Sequence, residues 1–192
     1  MTTTSATTHH HTWTRDPYLI STDPSLISLA ALNAALASQE VYWAQPLPLP
    51  DLQTLVANSL CFGLYGPPPP TDDHTSHTNA HPISDHINQS TSQGPLQRPL
   101  LGFARLITDH VSLAFLTDVY VLPSHQGHGL GDWLISCVKE VVEGMPHLRQ
   151  LVLVASEGKG EAYYARALGT RRMEERGGGV RLVSCLGPGS GL

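Results

Sequence analysis

The chain has 192 residues, 41% of them hydrophobic, and a formal charge of -5, enough to bury one substantial core but not two. Its basic residues are scattered singly apart from Arg171-Arg172, so there is no basic stripe to neutralise a phosphate backbone, and a nucleic-acid binder is excluded. No stretch approaches the roughly 20 apolar residues that span a bilayer, and the threonine-rich beginning lacks a secretory apolar core. The expectation is a soluble, cytoplasmic protein with no membrane partner. Three widely spaced cysteines, Cys61, Cys137 and Cys185, suit reduced thiols rather than a disulfide framework.

In chain order, residues 1–16 read as a low-complexity tail. The triple histidine from His9 to His11 lacks the closed geometry of a metal site. A single domain is expected over 17–187. Residues 18–21 suit a first strand. Asp23-Pro24-Ser25 then starts a helix whose apolar stripe is Leu26, Leu29, Ala30, Leu32 and Leu36, running to about Gln39. After the spacer Pro46, Pro48, Pro50, a short helix is expected over 51–58 and a strand over 59–65. The composition then changes abruptly. Residues 66–98 open with Gly66 and four prolines and continue in polar residues that cannot bury a core, the mark of a flexible insertion. His74, His77, His81 and His86 within it read as solvated, since no cysteine joins them and no rigid element holds them.

Beyond the insertion, strands are expected over 100–108 and 111–122, with Asp109-His110 as the turn between them. A helix follows over 127–143. Leu130, Trp133, Leu134, Cys137, Val138, Val141 and Val142 form its apolar stripe, and Gly144 and Pro146 stop it. A strand over 148–155, a helix over 159–168, and two short strands around 172–175 and 180–185 joined at Gly177-Gly178-Gly179 complete the domain. Residues 188–192 form a second tail.

The most informative stretch joins the strand ending at Val121-Leu122 to the helix through Gln126-Gly127-His128-Gly129-Leu130-Gly131. Glycines let backbone N–H groups approach a ligand closely, and the helix points its positive end at the same place, which suits an anion. The dinucleotide fingerprint Gly-x-Gly-x-x-Gly is absent, with no acidic residue closing a following strand. The lone Gly158-Lys159 pair is followed by Gly160 and lacks the upstream glycine of a Walker loop. Gln126, Gly129 and Gly131 instead resemble the Arg/Gln-x-x-Gly-x-Gly/Ala motif of the GNAT superfamily of acyl-CoA N-acyltransferases. The resemblance continues through Leu151-Val152-Leu153-Val154 into Glu161-Ala162-Tyr163-Tyr164-Ala165-Arg166-Ala167-Leu168-Gly169, which is similar to the family's second motif. It covers roughly the last half of the chain. A wider match through Tyr42-Trp43, residues 58–63 and residues 102–105 is similar to a fungal or bacterial subgroup of uncharacterised small GNAT enzymes.

The resemblance implies an α/β (α+β) GNAT fold, with a mixed, mostly antiparallel central sheet flanked by helices and splayed fourth and fifth strands. It implies transfer of an acetyl group from acetyl-CoA, as co-substrate, to a primary amine of a small molecule or peptide by direct attack, with no metal. The insertion becomes an elaborated hairpin loop. The pyrophosphate is assigned to Gln126, Gly127, His128, Gly129, Leu130, Gly131 and Asp132, and the pantetheine arm to Val119, Tyr120 and Val121, with the Val119 N–H on the thioester carbonyl. Tyr164 is the preferred general acid and Tyr163 its competitor, since adjacent tyrosines on a helix point about 100° apart. Asp118 resembles one of the two acids of the spermidine/spermine acetyltransferases, with Thr117 where the other stands. It either recruits an ammonium group, or acts as base through a water, or is structural, in a salt bridge to Arg105 or a turn hydrogen bond. Tyr42 and Trp43 either wall the acceptor pocket or pack in the core. His125 and His128 stand where the family often carries Arg or Lys, so CoA affinity is expected to fall as pH rises through neutrality. A homodimer is compatible with these features. The alternative is a non-catalytic acyl-CoA-binding module acting as a sensor or partner-binding protein.

Overall fold

The computed structural model describes residues 10–69 and 98–173. Among these, six strands form one sheet in sequence order: β1 (Thr12–Arg15), β2 (Tyr18–Ser21), β3 (Leu60–Tyr65), β4 (Leu100–Thr108), β5 (Leu113–Val121) and β6 (Gln150–Leu153). Neighbours are antiparallel except β5 and β6. That parallel pair needs a crossover, supplied by α3 (Leu130–Glu143). Helices α1 (Leu29–Leu36) and α2 (Leu49–Ala57) cover one face, and α3 with α4 (Lys159–Leu168) covers the other. The GNAT-like mixed α/β architecture is as expected.

Alternation along β3, and along β4 from Phe103 onward, feeds two cores, β4 changing phase before Phe103 where its pairing with β3 skips from Leu64↔Gly102 to Tyr65↔Leu100. Phe62, Leu64, Ala104 and Leu106 meet Leu134, Ile135 and Val138 of α3. Cys61, Tyr65, Leu100 and Phe103 meet Leu32, Leu36, Leu52 and Val56 of α1 and α2. β5 breaks its own alternation. Ala114 and Leu116 belong to the α3 core, yet Tyr120, an even number of residues on, lies in the α1/α2 core. The pairing with β4 skips between Arg105↔Thr117 and Phe103↔Tyr120, and Asp118 has φ 51°. One extra residue there is a β-bulge, which swaps the faces of everything after it. Pairing with β6 ends at Leu116↔Leu153, so β5 and β6, the fourth and fifth strands when the expected count starts at residue 18, part from the bulge onward.

Several expectations need correction. Residues 12–15, placed in a tail, form β1, an edge strand registered against β2 from Thr12↔Ser21 to Arg15↔Tyr18. The helix expected from Asp23 is interrupted. Asp23 caps only a short 3-10 turn by accepting the Ser25 N–H at 2.9 Å, and Ser28 then caps α1 afresh. α3 starts at Leu130 rather than 127, because Gly127 and Gly129 have φ of 79° and 70°, left-handed values that no right-handed helix contains. β6 is shorter than the 148–155 expected. Of the strand expected around 172–175 only Arg172 and Met173 are described, and neither is in a strand; its remainder, the strand expected around 180–185 with Cys185, the polar stretch from 70 to 97 with its four histidines and residues 1–9 lie outside the described residues. The ends of that stretch are joined: the Gly66 N–H donates to the Pro99 carbonyl at 2.9 Å, and Arg98 Nη1 donates to the carbonyls of Gly66 (2.9 Å) and Pro17 (2.7 Å). β3 and β4 therefore form a hairpin closed at its stem.

Candidate acyl-CoA site

The turn after β5 is built by its own side chains. Pro123–His125 makes a short 3-10 turn, and Gln126 Nε2 donates to the Val121 carbonyl at 2.8 Å, folding the loop back onto the strand. Gln126 thus holds the turn from within. Among the described residues, the backbone N–H groups from Gly127 to Asp132 have no backbone acceptor, and Gly129 at the helix start receives no side-chain cap. These donors stand at the positive end of a 14-residue helix. Space is left in front of them. A Cβ on Gly127 would meet nothing within 4 Å, and one on Gly131 would meet only Tyr163 Oη and Val121 Cγ2, each at 3.9 Å. An anionic ligand with a slender arm fits this opening, with the arm running on to the edge of β5 that β6 leaves unpaired after Leu116.

Tyr163, rather than Tyr164, is the tyrosine on this opening. Its hydroxyl stands beside Gly131, and Arg166, one turn along α4, lies 5.6 Å from its ring centroid while reaching Asp132 of α3 at 3.7 Å. Burial above all, with the Asp132 carboxylate next, pushes the Tyr163 phenol well above its ordinary range, so it carries its proton at neutral pH. Tyr164 meets it edge-on at 5.0 Å and lines a groove between α4 and β6 with Leu153, Gly158 and Ala165.

Asp118 sits in an ion pair. Arg105 Nε and Nη2 both lie 2.7 Å from Asp118 Oδ2, with side chains only 14% and 10% exposed. Thr117 donates its hydroxyl to Oδ1 at 3.3 Å, and Arg105 Nη1 donates to Ser59 Oγ at 3.2 Å. The carboxylate is held at the bulge, on the α1/α2 side. Val119 and Val121 pack against the α3 core and Tyr120 is buried in the other, so these three offer a ligand their backbone alone. Tyr42 and Trp43 are not core residues: they are 62% and 37% exposed, packed edge-to-face at 5.1 Å. They follow a 3-10 turn, Gln39–Val41, that lies against β5.

A family model described as Acetyltransferase (GNAT) family matches residues 65–170. The chain belongs to the GNAT family. A Gibberella zeae protein named for acetyltransferase activity is 37% identical over 180 residues, covering 93% of this chain and 94% of that one. The crystal structure of a Xanthomonas campestris protein named for the same activity and placed in the GNAT family is 26% identical. It has a TM-score of 0.60 and covers 94% of this chain and 95% of its own. A Deinococcus radiodurans structure, also named for acetyltransferase activity, shares the fold at 16% identity and TM-score 0.53, covering 89% and 88%.

Within this GNAT protein, sequence reasoning missed Arg15. Its guanidinium carbon lies 5.6 Å from the Trp133 ring centroid, and its Nη1 is 3.8 Å from where a Cβ on Gly129 would stand. The signal was the pair of polar-apolar runs Thr12–Arg15 and Tyr18–Ser21 about a two-residue Asp16-Pro17 turn, which is hairpin spacing. Tyr163 was visible as a competitor, but only packing against Gly131 separates it from Tyr164.

Proposed function

We propose that this GNAT protein is an acetyl-CoA-dependent N-acetyltransferase that moves an acetyl group to a primary amine of a small molecule or peptide by direct attack. The observation that carries this reading is the open, unpartnered N–H array from Gly127 to Asp132, facing the unpaired edge of β5. When bound, acetyl-CoA supplies the activated acetyl group. The chain's own residues hold its phosphates at Gly127 to Asp132, in a turn braced by Gln126, and line its arm with the backbone of Val119 to Val121. Tyr163, protonated at neutral pH and standing on the cleft side of α4, is the preferred proton donor. Asp118 is a positioning residue that fixes the bulge, and the exposed pair Tyr42 and Trp43 is assigned to the acceptor.

The test has two parts. Gly131→Leu, which puts a side chain into the opening between Tyr163 and Val121, is expected to abolish acetyl-CoA binding in calorimetry while leaving Tm close to that of the parent. Thiol release with a panel of amines is expected to fall about 100-fold in Tyr163→Phe, within the usual range for a lost general acid, and to be little changed in Tyr164→Phe. The reverse order would restore Tyr164. A second reading, a non-catalytic acyl-CoA-binding module, is favoured by one observation: the Asp118 carboxylate is engaged with Arg105 and is not free to take a proton from an amine. Tight acetyl-CoA binding with no thiol release across the panel would establish that reading.

A further inference from the structure

The glycine turn lacks the Arg or Lys that related turns carry, yet a fixed cation stands beside it, delivered from the other end of the chain. Trp13 and Arg15 share a face of β1 by the two-residue period of a strand. Trp13 Nε1 donates to Glu140 Oε2 of α3 at 2.9 Å, and Arg15 stacks over Trp133, seven residues earlier on that helix. The strand thus lies along α3 and carries Arg15 to its first turn. There Arg15, His128, Gly129, Asp132, Trp133 and Ser136 line a groove of about 520 Å³. Among the described residues no carboxylate lies within ion-pairing distance of Arg15, while Asp132 is taken by Arg166. This groove flanks Gly129, whereas the opening for the pyrophosphate and arm lies at Gly131, between Tyr163 and Val121.

We infer that Arg15 binds the ribose 3′-phosphate of CoA, a reading that rests on the acyl-CoA site proposed above. A phosphate monoester carries more charge than either phosphate of the diester-like bridge, and a guanidinium offers it paired donors, whereas backbone N–H groups suffice for the bridge. Stacking on Trp133, itself a lining residue of the same groove, orders the guanidinium before the ligand arrives. The edge strand β1 is, on this account, part of the binding site.

The probes are CoA and 3′-dephospho-CoA, titrated into the full chain by calorimetry. The unaltered protein is expected to prefer CoA. Arg15→Gln is expected to weaken CoA about tenfold, the scale of one charge-assisted contact, and to leave dephospho-CoA within about twofold, so that the preference disappears. Arg15→Lys, which keeps a charge, retains most of it. No preference in the unaltered protein, a preference that survives Arg15→Gln, or an equal loss for both ligands overturns the assignment. Equal loss would place Arg15 on the pyrophosphate or in the fold. Failure of the unaltered protein to bind either probe would overturn the acyl-CoA reading as well, which separates the two failures.

Discussion

Asp118 carries three constraints at one position: a left-handed φ of 51°, a place in the bulge and nine-tenths burial. Each depends on the Arg105 pair, because a guanidinium left in that interior with only Ser59 would be an uncompensated charge. Asp118→Leu is expected to cost about 3 kcal/mol in denaturant unfolding, the low end for breaking a buried pair. Asp118→Asn should cost less, since asparagine tolerates the left-handed region. Gly102 matters for a different reason: a Cβ there would lie 2.8 Å from the Tyr120 carbonyl and 3.3 Å from Val121 Cα. Backbone cannot swing aside, so Gly102→Ala is expected to push the end of β5 outward, costing about 1–3 kcal/mol as overpacking does and weakening acetyl-CoA binding in the same calorimetric assay. At the β4–β5 turn, Asp109 Oδ1 accepts the N–H groups of Val111, Ser112 and Leu113, and Oδ2 accepts the Ser112 hydroxyl. The Ser112 hydroxyl and these amides hold the Asp109 carboxyl well below its ordinary range. A depressed carboxyl stabilises the fold above its unfolded pKa of about 4, and that share is lost as pH falls through the lower folded value. Asp109→Asn should therefore flatten the acid limb of a stability-against-pH curve and leave its neutral limb parallel to that of the parent.

At the scale of elements, β1 is the addition that the cleft depends on. Trp13 stacks between His11 and Phe62 and is bonded to Glu140, so the strand is fastened to both sheet and helix. Trp13→Ala is expected to cost about 2 kcal/mol, less than a fully buried tryptophan because this one is half-buried, and to weaken CoA as Arg15→Gln does. Trp13→Phe should keep the stack and most of the affinity. This strand also marks where sequence reasoning stopped. The turn glycines and the crossover were legible because glycine spacing and a 3.6-residue stripe are local signals, and α4 through its resemblance to the family's second motif. β1 was not, because four residues of Thr-Trp-Thr-Arg after a polar tract carry little hydrophobic pattern, and their meaning comes from a helix some 120 positions away. The bulge was hidden for the opposite reason. In a run as apolar as 113–121, a swap of faces changes nothing that composition records.

Over the whole molecule, one sheet separates two cores, and a buried thiol lies in each: Cys61 on the α1/α2 side and Cys137 in α3. Burial pushes Cys61 up to about 12 and Cys137 up to about 11, so neither offers thiolate in the native state. If the shared sheet couples the cores, alkylation mapped by peptide mass spectrometry should be negligible at both sites in buffer and should rise at the same denaturant concentration for both. Separate midpoints would mean that one face opens alone. The closed hairpin stem at Gly66, Arg98 and Pro99 has a consequence for how this chain tolerates change. Because the stem completes its own bonds, the span between its ends is a cassette: lengthening a loop costs only about 0.6 kcal/mol per doubling once its ends are joined. Exchanging residues 70–97 for a short Gly-Ser segment, or splicing in a fluorescent domain whose termini meet, should leave the melting temperature almost where it was. That socket would allow the fold to be tagged from inside its sequence.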